Sequence, residues 1–328
     1  MFSKFDNTTP GCSVIAFNDK KIMYTNNIGL ADMENKIPIG SNTSFRLASL
    51  TKTFTAMAIM ILDEMKLLKF DDPIIKFFPD FPKYGKKITI SQLLSHTSGL
   101  PDHEKPLYDE IDTYGEPTIY DSFEILKKQK SLLFRYGTKF EYSNSGFVLL
   151  ALIIEKVAGE KYSSFLQKNI FAPLGLKNTI VVDETKPFIN NRAFGYKKEK
   201  NKYIDYDYDP LNYIIGDEGI YSTVLDLVQW IRAWQYPILV KKETLNMSLR
   251  LQKLEKGKFG RCGFSWFIQN IYSKKYIFHD GFWVGFNNIM LTECETNITV
   301  IILSNTNEFS TEKKRIDAAL EILNSLRF

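Results

Sequence analysis

The chain has 328 residues, 44% hydrophobic, 14% aromatic and 24% charged, a balance that excludes long disorder, a collagen-like repeat and a disulfide-held miniprotein. At roughly 100–200 residues per domain, that length makes two lobes or one large domain. A net charge of +4, from 42 Lys and Arg against 38 Asp and Glu, with no basic stripe interleaved with aromatics, argues against a nucleic-acid partner.

From the N-terminus, CSVIAFNDKKIMYTNNIG predicts two short strands joined at Asn18-Asp19-Lys20-Lys21. After Phe45, LTKTFTAMAIMILDEMKLL predicts a long helix, apolar nearly all round and therefore buried, with Ser49 as its N-cap. Residues 71–145 read as loop-rich helical territory, with patches at Ile90–Leu94 and Phe123–Lys130 separated by prolines such as Pro73, Pro82 and Pro117. A second buried helix is predicted at about Gly146–Val157, ending at Gly159, and another before Pro173-Leu174-Gly175. Tyr196–Asp209 reads as an exposed hairpin or excursion. From about Arg261 alternation returns in CGFSWFI, KYIFHDGFWVGF, NIMLTE and ITVIILSN, and Thr311–Leu326 closes the chain as an amphipathic helix. Strands, helices, strands and a helix in that order predict an α+β fold. Residues 1–48 and 256–328 form a sheet domain from both chain ends, and 49–255 form a mostly helical insertion.

The longest apolar runs, Ala56–Leu62 and Phe147–Ile154, fall short of the roughly 18–20 residues that span a bilayer, so no membrane span is expected. The first residues lack the apolar core of a secretory signal, which suggests a cytoplasmic chain unless a leader has already been removed. Cys12, Cys262 and Cys294 cannot all pair and lack zinc or C-x-x-C spacing, so they are expected to be reduced and buried.

Ser49-Leu50-Thr51-Lys52 is an S-x-x-K tetrad at the start of the first buried helix, where positions three apart share a face. A serine becomes a useful nucleophile when a neighbour takes its proton, and a lysine does so when burial lowers its pKa; Phe45, Leu47, Phe54 and Met57 would supply that burial. A simple N-cap with a snorkelling lysine fits the same four residues, and Ser310-Thr311-Glu312-Lys313 repeats the pattern in a polar setting. Tyr142 and Asn144, in FEYSNSGF, sit in a loop before the second buried helix. There the Tyr142 phenol would shuttle the Ser49 proton if Lys52 favoured its phenolate, and Asn144 would bond Lys52 or a substrate amide; a core tyrosine is the alternative.

His279-Asp280-Gly281 lies within a predicted strand, and a strand glycine marks close approach by a ligand or another backbone. The Phe282 amide would then pair with the Ser49 amide as an oxyanion hole, the alternative being a bulge with a surface histidine. His96 reads as a cap and His103 as part of a polar loop. With no H-E-x-x-H, P-loop or G-x-G-x-x-G, no metal ligand and no cofactor are expected.

Taken in order, Ser49-x-x-Lys52, Tyr142-x-Asn144 and His279-x-Gly281 resemble the three active-site motifs of the serine β-lactamase and penicillin-binding-protein superfamily. The likeness is nearest to its class C β-lactamase-like group, which includes DD-peptidases, esterases and D-amino-acid peptidases. FRLASLTKTFTA, ISQLLSHTSGLP, GTKFEYSNSGFVLLALIIEKVAG, PLGLKNT and GIYSTVLDLVQW also look like that group's framework, so the resemblance runs from about Pro10 to about Asn305.

The resemblance implies a β-lactamase/transpeptidase-like fold, an antiparallel sheet flanked by terminal helices plus a helical lobe, with the site between them. It implies Ser49 as the acylated nucleophile, Lys52 and Tyr142 sharing base and acid duties, and Asn144 orienting Lys52 and substrate. His279, Asp280, Gly281 and Phe282 would line the substrate's edge. The implied activity is a cofactor-free serine hydrolase acting through an acyl-enzyme on an ester, amide or β-lactam bond of a small molecule or peptide. A penicillin-binding or sensor module that acylates without turnover is the alternative.

Asp280 stands where the group usually has Thr or Ser, His279 where it usually has Lys, and Glu218 replaces a usual glycine. Two carboxylates about 4 Å apart repel by roughly 4 kcal/mol at an effective dielectric of 20. Neutral or cationic substrates are therefore expected over carboxylate-bearing ones.

Overall fold

The computed structural model of the chain describes residue 2 and residues 5–326. Its main sheet is antiparallel and uses β1 (Cys12–Phe17), β2 (Ile22–Ile28), β3 (Phe267–Ile271), β4 (Lys274–Trp283), β5 (Phe286–Glu293) and β6 (Thr299–Ser304). The spatial order is β3-β4-β5-β6-β1-β2, so the two chain ends meet where β1 pairs with β6, Cys12 opposite Ser304. Alternating side chains supply both faces, as a strand period of two requires. Ile15, Phe17, Met290, Ile301 and Leu303 join one apolar cluster, while Val14, Ala16, Ile289, Leu291, Val300 and Ile302 join another.

The principal helices are α1 (Thr51–Glu64), α2 (Asn144–Ala158), α3 (Val224–Gln235) and α4 (Glu312–Ser325). The apolar side of α4, with Ala319, Ile322 and Leu323, covers the second sheet face. The first face is continuous with the helical lobe: α3 lies against β1 and β6, so part of the 49–255 stretch forms a layer of the sheet packing. Phe54 of α1 stacks on Trp230 of α3 with ring centroids 3.8 Å apart, and Trp230 Nε1 donates to Thr53 Oγ1 at 3.0 Å. That stack ties the helix carrying Lys52 to the sheet. Among the described residues no helix is long and apolar enough to cross a membrane.

Most predicted elements form with their expected punctuation. Ser143 Oγ caps α2 by accepting from the Gly146 amide at 3.2 Å, and Gly159 ends it at φ +69°. Residues 71–145 hold only short helices, and Tyr196–Glu199 pairs with Lys202–Asp205 as a hairpin. Two expectations are corrected. Ser49 is not an N-cap: α1 begins at Thr51 with no side-chain cap, and Ser49 belongs to a tight 3-10 turn, Ala48–Leu50, ahead of it. Cys12 and Cys262 are buried, but Cys294 is exposed, because it follows the end of β5 in a turn that leaves the sheet.

Removing the Trp230 ring would open a cavity beneath α1. Trp230→Ala is expected to lower unfolding stability by about 3–5 kcal/mol in urea titrations, as for buried aromatic truncations generally. A loss below about 1 kcal/mol would show that the stack carries little.

Candidate active site

Ser49 stands where three chain segments converge. Asn288 of β5, opposite Gly281 of β4, donates from Nδ2 to the Arg46 and Leu47 carbonyls at 2.9 and 3.1 Å. The Leu47 amide in turn donates to the Ile220 carbonyl at 2.8 Å. Held from both sides, the chain turns sharply at Ala48, whose φ of +52° is a left-handed conformation that costs a residue with a Cβ about 1 kcal/mol or more. On β4, a Cβ at Gly281 would lie 2.3 Å from the Leu47 carbonyl oxygen and 3.3 Å from the Ser49 nitrogen. Glycine is what lets this strand pass against the turn.

One helical turn on, Lys52 is fully buried, and its Nζ donates to Ser49 Oγ at 3.0 Å and to the Asp217 carbonyl at 3.0 Å. The Tyr142 phenol lies beside both Ser49 and Lys52, and Lys52 Nζ lies 5.0 Å from the centre of the Tyr142 ring and 5.8 Å from that of Phe147. Alcohol, amine and phenol, 93 residues apart at the extremes (49 to 142), meet in one place.

Burial alone would lower the Lys52 pKa, but Tyr142, Asp217 and Glu218 around it more than compensate and hold it above the usual lysine value. The sequence expectation of a burial-depressed lysine is thus corrected: acids on a neighbouring loop keep it an ammonium. Tyr142 is pushed up by burial, with Lys52 and Ser49 opposing. In the resting state the phenol keeps its proton.

His96, expected as a cap, is buried instead and braces Tyr142. Its ring stacks on the phenol ring at 4.4 Å, its Nδ1 accepts from the Ser143 amide at 3.0 Å, and its carbonyl accepts from the Glu141 amide at 2.9 Å. Burial, with Lys52 and His279 nearby, depresses its pKa well below the ordinary value, so it is neutral. His103, expected in a polar loop, is also buried and bonds Ser145 Oγ through Nδ1 at 3.1 Å. Asn144 Nδ2 donates to Glu104 Oε1; the groups that hold Lys52 are Ser49, Tyr142 and the Asp217 carbonyl.

On β4, His279 is buried, with Nδ1 donating to the Asp280 carbonyl at 2.6 Å. Burial pushes its pKa down to about 4, Asp280 opposing and Lys52 adding to the effect. It is no surface histidine. The Asp280 carboxylate is not free either: Arg315 of α4 donates to Oδ2 from Nε at 2.8 Å and from Nη2 at 2.5 Å. Arg315 also donates to Asn287 Oδ1 and the Phe309 carbonyl, which fixes its orientation.

These groups open onto a cleft of about 450 Å³ whose walls include Ser49, Tyr142, Asn144, Asp280 and Phe282. That is within the range of small-molecule sites. Phe282, 46% exposed, narrows it on the strand side. Glu104, Glu218, Arg261, Phe267, Trp283, Glu312 and Arg315 complete the lining, with Arg261 paired to Glu312 at 3.1 Å. A larger hollow, about 710 Å³ between Ile37, Arg192 and Phe194, holds none of the predicted residues.

Sequence reasoning missed Asp217, Glu104, Arg261 and Arg315. A signal existed for one of them: Gly216 and Gly219 flank Asp217-Glu218, and both take positive φ, +99° and +95°. They bend the loop so tightly that a Cβ on Gly216 would lie 2.5 Å from Ala151 Cβ of α2. Burial raises the Asp217 carboxyl, with Lys52 and His103 opposing; burial and the nearby Asp217 raise Glu218 well above the carboxylate range and push Glu104 up to about 7.

The Beta-lactamase family model matches residues 2–324. Penicillin-binding protein 4* of Bacillus subtilis is 32% identical over 94% of this chain and 71% of its own length. The octameric penicillin-binding protein homologue from Pyrococcus abyssi superposes with a TM-score of 0.84 at 27% identity, over 97% of this chain and 74% of that one. The D-amino acid amidase from Ochrobactrum anthropi SV3, complexed with L-phenylalanine amide, gives 0.80 at 25% identity, over 97% and 94%.

Gly281→Ala is expected to reduce hydrolytic turnover by about a hundredfold or more, since a displacement of roughly 1 Å at the nucleophile's turn has that effect. Unchanged turnover would mean that the turn yields freely. The depressed His279 pKa also has a sign. Below about pH 6.5 the unfolded chain takes this proton and the folded chain does not, so stability is lost as pH falls from about 6.5 toward about 4, by up to about 3 kcal/mol. Urea unfolding at about pH 7 and about pH 4.5 should show a smaller acid loss for His279→Gln than for the parent. Equal losses would contradict it.

Proposed function

Because the chain belongs to the beta-lactamase family, we propose that it is a cofactor-free serine hydrolase working through an acyl-enzyme. The carrying observation is the Ser49 hydroxyl on the cleft wall, hydrogen-bonded by Lys52 at 3.0 Å, with the Tyr142 phenol beside both. When the Lys52–Tyr142 pair has given up one proton, it can accept the Ser49 proton as Oγ attacks the acyl carbon. The pair titrates as a unit, so the acceptor is the pair. Breakdown of the tetrahedral intermediate breaks the bond to the leaving group, which departs with that proton. Water then enters by the same route in reverse, leaving the acid product and free Ser49.

Charge developing on the carbonyl oxygen needs donors. The Ser49 and Phe282 amides are the assigned pair, because Gly281 brings the strand backbone against the Ser49 nitrogen. Each such donor is worth about 2.7–4 kcal/mol in acyl transfer. Asn144, held by Glu104, is assigned to the acyl side of the substrate.

Neutral or cationic esters and amides are the proposed substrate class, ahead of carboxylate-bearing ones. Asp280 is answered by Arg315, whereas Glu104 and Glu218 line the cleft with no ion-pair partner among the described residues. An ammonium beside the scissile bond suits that wall, and the Ochrobactrum anthropi relative is named an amidase of D-amino acids. The names of the penicillin-binding relatives favour a second reading, acylation by penicillins with little turnover.

Intact mass after treatment with a penicillin or a fluorophosphonate should show one adduct on the parent and none on Ser49→Ala. The variant should lose about 10⁴-fold or more of hydrolysis. In steady state, an uncharged aryl ester and an amino-acid amide should exceed a carboxylate-bearing cephalosporin in kcat/KM. Faster cephalosporin turnover would reject the substrate class, and adducts without turnover of any substrate would establish the second reading.

A further inference from the structure

Beside the acyl-transfer groups lies a feature that their chemistry does not use. His103, Glu104 and Asp217 present ligand atoms all within 4.8 Å of one another. They line a small hollow of about 10 Å³, together with Leu211, Ile214, Glu218 and Trp283. That is room for one water-sized species. Two of the polar atoms are buried without a hydrogen-bond partner among the described residues: His103 Nε2, on a fully buried ring, and Asp217 Oδ1, on a residue 2% exposed.

The imidazole tautomer follows from its neighbour. Ser145 Oγ spends its one proton on the Pro101 carbonyl at 2.7 Å, so it accepts from His103 Nδ1–H at 3.1 Å. The Nε2 lone pair is therefore left facing the carboxyl groups. A metal-binding histidine is oriented in the same way, by a hydrogen bond from its other nitrogen.

Charge points the same way. Glu104, Asp217 and Glu218 face the cavity; of the neighbouring cations, Lys52 is committed to Ser49 and the Asp217 carbonyl, and Arg46 to Tyr221 and the Asn212 carbonyl. Three acidic side chains crowd one small space, and their carboxyl protons are ones that an incoming cation can displace. Glu104, Glu218 and Trp283 line both the cavity and the substrate cleft, which gives an entry path.

We propose that His103, Glu104 and Asp217 bind one divalent transition-metal ion of the zinc class, next to the acyl-transfer groups and outside the acyl-transfer step. One imidazole and two carboxylates, with a fourth position open to water, suit zinc better than magnesium or calcium. Tetrahedral bonds of about 2.1 Å put ligand atoms about 3.4 Å apart, so the three must draw together by about 1 Å. Glu104 leaves Asn144 in doing so. Loading would neutralise part of the acidic cleft wall and raise KM for a cationic amide, while an uncharged ester is affected less.

The test uses the full chain after chelator treatment, titrated with Zn²⁺ in competition with a chromogenic chelator and followed by thermal unfolding. The expected result is one Zn²⁺ per chain and a raised Tm, with affinity weakened about tenfold or more in His103→Ala and in Asp217→Asn. Cobalt substitution should give a visible d–d absorption that His103→Ala loses. Glu104→Gln, at a half-buried cleft position, provides a second ligand deletion should the buried variants fail to fold. Absence of stoichiometric binding, indicating a trapped water, would overturn the proposal. So would binding indifferent to all three substitutions, or equal affinity for Mg²⁺ or Ca²⁺.

Discussion

A lysine ammonium with no exposed surface is the constraint around which the rest of this site is arranged. Removing such a charge from water costs several kcal/mol unless fixed dipoles and opposite charges replace the lost hydration. Lys52 recovers it from the Ser49 hydroxyl, the Tyr142 phenol, the Asp217 carbonyl and the faces of two aromatic rings. These partners come from three parts of the chain, residue 49, residues 142–147 and residue 217. The 216–219 loop, bent by its two glycines, carries Asp217 and Glu218 to the ammonium, and the loop before α2 brings the phenol. The group that fixes the nucleophile is thus also the one that gathers the acids.

The convergence has a structural cause as well. α1 and α2 are buried through most of their length, so their charged and polar residues gather toward their ends, and those at the first turns lie where unsatisfied backbone amides and the positive end of the helix dipole are. Ser49 and Lys52 stand at the start of α1, Tyr142 and Asn144 at the start of α2, and both starts face the edge of β4 at Gly281. Packing two apolar helices on one another and on a sheet therefore brings three polar tips together. The Phe54–Trp230 stack sets how far α1 stands from the sheet layer.

Much of this was readable from periodicity and punctuation. The strands at both ends, the two buried helices, Gly159 and the terminal helix all follow from local pattern, because each buries a face whose spacing is written in adjacent residues. The triplet Ser49, Lys52 and Tyr142 was readable as motif text. What local pattern lacked was partnership. Ser49 looked like a cap because helix-start composition cannot separate a capping hydroxyl from one held one turn earlier in a 3-10 turn. Similarly, the net effect on Lys52 depends on Asp217 and Glu218, 165 residues further along for the first of them. The burial of His96, His103 and His279 is a tertiary outcome, and so is the pairing of Asp280 with a residue of the last helix.

That last pairing alters how the substrate argument runs. A lone Asp280 facing a substrate carboxylate at about 4 Å would cost roughly 4 kcal/mol, enough to decide specificity unaided. With Arg315 fixed on Oδ2 by two hydrogen bonds, the pair presents a dipole, and the repulsion falls to a fraction of that figure. Breaking such a pair by removing one partner is costly, about 3–5 kcal/mol, so substrate cannot recruit Arg315 away from Asp280 at little cost. On the proposed reading, discrimination by charge comes instead from Glu104 and Glu218, which line the cleft with no ion-pair partner among the described residues. Specificity on that reading is tied to the segments that carry those two residues, 101–104 and 216–219, more than to the strand that carries His279-Asp280-Gly281.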